Sequence, residues 1–169
     1  RLSRFIHRSR DYPATEGALL EWRAAARQAL TDALLMPALP ALRAAATSSV
    51  EVMKTCEVDG VRIEELSWQL PYGPRTRALL LLPAGEAEPG SLPGLLALHC
   101  HGGQKIFGLE KITKTDKPQH PAMVEHQSTY YGGRAWANEM AKRGYAVLVH
   151  DAFPFGSRRV LQDTVADTI

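Results

Sequence analysis

A chain of 169 residues, 45% hydrophobic and 22% charged, can bury one ordinary core. Its 20 basic residues face 18 acidic ones, and four arginines (Arg1, Arg4, Arg8 and Arg10) fall in the first ten positions, which leaves 16 bases against 18 acids elsewhere. That balance excludes the broad basic face of a nucleic-acid-binding domain, and no apolar run approaches the roughly 18 residues that cross a bilayer. The expected partner is a small molecule.

Between Gly17 and Leu35, Leu19, Trp22, Ala26, Leu30, Ala33 and Leu34 recur at three- and four-residue steps, with charged residues between them. This predicts an amphipathic helix, ended by Pro37 and Pro40, so residues 1–46 read as a helical segment with its linker. Residues 47–169 read as the main domain. Val50–Val58 and Val61–Leu70 flank Asp59-Gly60, a dipeptide that supplies the positive φ angles of a tight hairpin turn. A third extended run, Thr76–Leu82, precedes a loop rich in Gly and Pro that lasts until Pro93.

Leu95–Leu98 is continuously apolar, as expected of a strand covered on both faces in a parallel sheet. Residues 104–131 show no sustained period and read as a long excursion with one short helical turn, a type of segment that is often functional. Trp136, Ala137, Met140 and Ala141 mark another helix, closed by Gly144, and Tyr145–Val149 follows as a second apolar strand. Strand, crossover helix and strand make a parallel βαβ unit. The fold class is α/β.

In open α/β sheets, ligands bind beyond the carboxyl ends of the parallel strands. Two clusters stand there: His99-Cys100-His101-Gly102-Gly103-Gln104 and His150-Asp151-Ala152-Phe153-Pro154-Phe155-Gly156. Paired glycines let a backbone turn sharply and aim N–H groups at a developing oxyanion. His99-x-His101 is also metal-ligand spacing, with His120, His126 and His150 as candidates for a third ligand.

The stretches LPGLLALHCHGGQKIFGLEKI and WANEMAKRGYAVLVHDAFPFGSRR, behind the EWRAAARQAL helix and the CEVDGVRIEELSWQL hairpin, resemble the α/β-hydrolase superfamily. Within it they resemble the bacterial esterases related to dienelactone hydrolase and acetylxylan esterase, from about Glu21 to Arg159. The resemblance implies the N-terminal half of an α/β-hydrolase fold and a serine ester hydrolase acting on carboxylic esters, carbohydrate-linked ones among them. It also implies that a His-Gly-x loop supplies part of the oxyanion hole. His99 and Cys100 take the His-Gly places, and His101 takes that of the backbone donor; because Cys100 replaces the usual glycine, Gly102 and Gly103 are substitute donors.

Gln104, Tyr130, Tyr131 and Phe153 are candidate substrate-binding residues; Phe153 and Phe155 also read as core beneath the sheet edge. Asp151 reads as a cap for the following turn, His99 as structural, and Lys105, Lys111, Lys114 and Lys117 as a solvated face. Cys56 and Cys100 read as reduced, buried thiols inside strands. No Gly-x-Ser-x-Gly elbow occurs, and Ser157 follows the wrong strand, so the triad is expected from the remaining C-terminal half of the fold, in the same or another chain. Without that half, Leu95–Leu98 is expected to be an exposed apolar edge. No cofactor is called for. No signal peptide is visible and the expected compartment is cytoplasmic, although Arg1 at the start is compatible with a removed leader. The alternatives are a metallohydrolase built on His99 and His101, and a non-catalytic α/β domain that binds a small molecule or a protein.

Overall fold

The computed structural model describes residues 15–33, 50–70, 74–85 and 87–161. The basic arm, the Pro37/Pro40 linker and most of the Pro71–Pro74 turn lie outside the described residues. Residues 15–33 belong to one compact unit and residues 50–161 to another. In the first, helix α1 (Glu16–Ala33) is capped by Thr15, whose hydroxyl accepts the Ala18 N–H at 3.2 Å.

The second unit is a five-stranded mixed sheet with strands β1 (Glu51–Val58), β2 (Val61–Trp68), β3 (Thr76–Pro83), β4 (Gly94–Ala97) and β5 (Ala146–His150). The spatial order is β1-β2-β3-β5-β4. Asp59 and Gly60 both take positive φ, which closes the β1–β2 hairpin, and β3 continues the antiparallel run. β5 then pairs antiparallel with β3 and parallel with β4. The crossover from β4 to β5 carries α2 (Pro121–Tyr131) and α3 (Trp136–Lys142).

The core forms where α3 meets the sheet. Ala137 and Ala141 are small enough to bring the helix close to Leu79, Leu81, Val147 and Val149, and Leu109 and Ile112 fill the space beside it. β4 is an edge strand, and the expectation that both its faces are covered is corrected: Leu96 is 58% and Leu98 60% exposed. Four leucine-like positions in a row record only that one face is buried, here through Ala97, and say nothing about a cover for the other.

The excursion also differs from its sequence reading. It contains a 3-10 turn at Leu109–Lys111 and the full 11-residue helix α2. Two signals mark that helix: Pro121 at its first position and Gly132 at its end with φ of 60°. The cap is His120, whose Nδ1 accepts the Ala122 N–H at 3.2 Å. An imidazole serves here in place of the Ser, Thr, Asp or Asn that makes a helix start legible, and α2 buries only Met123, His126 and Gln127, too few for a clear apolar stripe.

Candidate functional site

The segment 98–104 leaves the carboxyl end of β4, and Gly102 and Gly103 both adopt left-handed backbone, with φ of 54° and 69°. At Gly102 the space is closed as well: a Cβ would stand 2.5 Å from Cε1 of His126. The sharp reversal therefore requires a residue without a side chain. Gly103 N–H donates to Nδ1 of His101 at 3.0 Å, which removes it from the expected donor set. Among the described residues, no acceptor engages the N–H of His101 or Gly102.

Three groups fix this loop from below. His99 accepts the Ala152 N–H through Nε2 at 3.1 Å, so its proton resides on Nδ1, which donates to the Cys100 carbonyl at 3.1 Å. Burial, only partly opposed by that bond, holds His99 below the usual imidazole range, consistent with the neutral tautomer. Lys111 is 0% exposed, which corrects its assignment to a solvated face. Its ammonium donates to the carbonyls of His101 at 2.9 Å and Cys100 at 3.3 Å and lies 4.3 Å from the centre of the Phe155 ring. Burial lowers its pKa. Nothing in the local sequence separates Lys111 from Lys105, Lys114 and Lys117; only the 3-10 turn aims it inward.

The third group is His126, buried on α2, with Nε2 3.2 Å from Sγ of Cys100. Its ring contacts those of Tyr130 and Tyr131. Burial first, and then the Lys111 charge, keep His126 below the ordinary imidazole range. Burial and a hydrogen bond to the Cys100 thiol push the Tyr131 phenol up to about 12. Cys100 thus lies just past β4, partly exposed and partnered, and Cys56 on β1 is partly exposed; both are free, and neither is the buried thiol expected.

Asp151 follows β5 and is buried, with Oδ1 accepting the Leu109 N–H and Oδ2 the Ser157 N–H, each at 2.8 Å. Both oxygens are engaged in tying the turn after β5 to the excursion, as its cap-like position implies. Phe155 is buried and stacks edge-on against His99 and His101. Phe153 is 61% exposed, so the core reading fails for it: in the turn that Asp151 organises, Phe155 points inward and Phe153 outward, along a hollow of about 440 Å³ with Ser157, Arg158, Val160 and Leu161. Tyr130 is 63% exposed on α2, whereas Tyr131 is partly buried beside Cys100. Gln104 is partly buried at the end of the loop.

The metal reading loses its geometry. His101 Nδ1 and His120 Nδ1 accept backbone N–H groups, His99 uses both nitrogens internally, and His150 Nδ1 donates to the Asp151 carbonyl. Among the described residues, no three His, Cys, Asp or Glu side chains converge on a point that would hold a metal ion. No helix among them is long and apolar enough to cross a membrane.

No protein-family model matches the chain, and no curated protein matches it. Among solved structures, a protein of Bacteroides fragilis described as a "putative acetyl xylan esterase" is similar, with a TM-score of 0.59 at 20% identity. The match covers 95% of this chain and 38% of that one. At this identity the likeness is one of fold, and what the two share is an α/β arrangement that fills little more than a third of the esterase's length.

Proposed function

We propose that this chain is the oxyanion-binding part of a serine ester hydrolase. In this reading the backbone N–H groups of His101 and Gly102 receive the negative charge that develops on a carboxylic ester carbonyl. Gly103 holds the His101 ring through its own N–H, and a serine, a histidine and an acid from the remainder of the fold perform attack and proton transfer. One observation carries the proposal: two left-handed glycines past the end of β4 turn the chain so that two consecutive N–H groups lack acceptors among the described residues.

The fold likeness to an esterase supports the reaction class, and the absence of a Gly-x-Ser-x-Gly elbow from this sequence is why the nucleophile is assigned elsewhere. Tyr130, Tyr131, Gln104 and Phe153 are proposed to border the acyl or alcohol side. Small esters, acetylated carbohydrates among them, are the proposed substrates. The test is intact-mass spectrometry of the full-length polypeptide before and after a fluorophosphonate probe, alongside turnover of p-nitrophenyl acetate. A single adduct with loss of turnover is expected, and a full-length protein that neither reacts nor turns over ester contradicts the proposal.

A further inference from the structure

The carboxyl end of β4 carries a second chemistry that ester hydrolysis does not use. Sγ of Cys100 lies 3.2 Å from Nε2 of His126; Cys100 is a partly exposed residue and His126 a buried one. In the tautomer that leaves Nε2 unprotonated, an imidazole at this distance takes the thiol proton as the sulfur attacks. The other groups facing this sulfur are the Tyr131 phenol from α2 and the Lys111 ammonium from the 3-10 turn. The tyrosine is a hydrogen-bonding partner of the sulfur, and the lysine places a positive charge near both the sulfur and the imidazole.

We propose that Cys100 is a thiol–disulfide exchange site, with His126 as its base and a low-molecular-weight disulfide as its co-reactant. The Cys100 proton passes to Nε2 of His126 and the sulfur attacks one sulfur of the disulfide. A new S–S bond forms as the old one breaks, and the departing thiolate takes the proton back from His126. One thiol and one disulfide become one mixed disulfide and one thiol, with no net oxidation. Sγ lies 3.4 Å from the point where a Cβ on Gly102 would be, so a group attached there crowds the turn that presents the His101 and Gly102 N–H groups. The mixed disulfide therefore switches the loop off, a consequence that rests on the oxyanion reading above.

Cys56 is the built-in comparison, since the chain has two cysteines and this one faces the Asp116 carboxylate and the Lys54 ammonium, which pair with each other. The experiment incubates the full-length protein, in Cys56→Ser, Cys100→Ser and His126→Gln forms, with oxidised glutathione. Adducts are followed by intact mass, and initial rates are measured with the chromogenic disulfide dithiobis(nitrobenzoate). Cys100 is expected to react at least about tenfold faster than Cys56 at pH 7. His126→Gln, placed in the Cys56→Ser background, is expected to remove about that factor at pH 7 but not at a pH where hydroxide ionises the thiol unaided.

Equal rates at the two cysteines, or an unchanged rate at Cys100 without His126, overturn the proposal. Should His126→Gln lose its native circular dichroism, the two-cysteine comparison still decides. Ester turnover separates the two ideas: adduct formation with full retention of turnover contradicts the switch and leaves the thiol chemistry standing, whereas an unmodified full-length protein without turnover contradicts the oxyanion reading.

Discussion

Asp151 offers a quantitative test of how the candidate site is held. Its buried carboxylate accepts two backbone N–H groups at 2.8 Å, and both neighbouring chain segments make room for it with glycine. A Cβ on Gly108 would stand 2.0 Å from Oδ1, and one on Gly156 would stand 2.5 Å from the same carboxylate. Asp151→Ala leaves the N–H of fully buried Leu109 without a partner, at about 1–3 kcal/mol, and costs about 1 kcal/mol more at the less buried Ser157 N–H. Relief of the carboxylate's own desolvation offsets part of this, so a net loss of about 2–3 kcal/mol is expected.

Gly108→Ala has a different origin, because its φ of −124° lies outside the left-handed region and the cost comes from the collision with the carboxylate. Removing that carboxylate should therefore relieve it. In a double-mutant cycle by urea unfolding, Asp151→Ala and Gly108→Ala should cost less together than the sum of the singles by about 2 kcal/mol. Additivity within about 0.5 kcal/mol would refute the claim that Asp151 and Gly108 share one tightly filled space.

Lys111→Met removes two charge-assisted hydrogen bonds but also a buried ammonium, so global stability is expected to change by no more than about 1 kcal/mol while hydrogen exchange at His101–Gly103 accelerates. Unchanged exchange at those amides contradicts the clamp. Gly102→Ala should cost about 1–2 kcal/mol from its left-handed backbone alone. It must also displace His126, so its thermal unfolding temperature should fall and Cys100 should lose its imidazole partner, which thiol kinetics will register.

Because burial holds His99 and His126 below their ordinary value of 6.5, the unfolded chain binds protons first. Their contribution to stability is present above pH 6.5 and is lost as pH falls through their lower folded values. Urea midpoints from pH 7.5 to 5 should therefore decline, and less steeply in His126→Gln. Finally, residues 1–169 expressed alone should self-associate through the β4 edge, and Leu96→Lys with Leu98→Lys should shift sedimentation toward monomer.

Elements whose identity is written in local chemistry were legible. Asp59-Gly60 fixed the hairpin, and Ala137 with Ala141 followed by Gly144 fixed the crossover helix against β5. The β4 loop was found from its paired glycines, and Asp151 from its position as a cap. What escaped depends on contacts distant in sequence. Lys111 becomes an interior residue because a 3-10 turn folds it beneath Cys100 and His101. His126 meets Cys100 across 26 residues, and its helix begins at a histidine cap that no simple start signal announces. The exposure of Leu96 depends on what packs beside the strand, a property of neighbours rather than of the strand.

The claim that the β4 loop receives an oxyanion is tested most directly by the amide resonances of His101 and Gly102 in full-length protein, recorded before and after fluorophosphonate labelling. Both N–H protons should move downfield on adduct formation, while that of Gly103, already donated to His101, should move little. An adduct that leaves the His101 and Gly102 resonances in place would contradict the assignment.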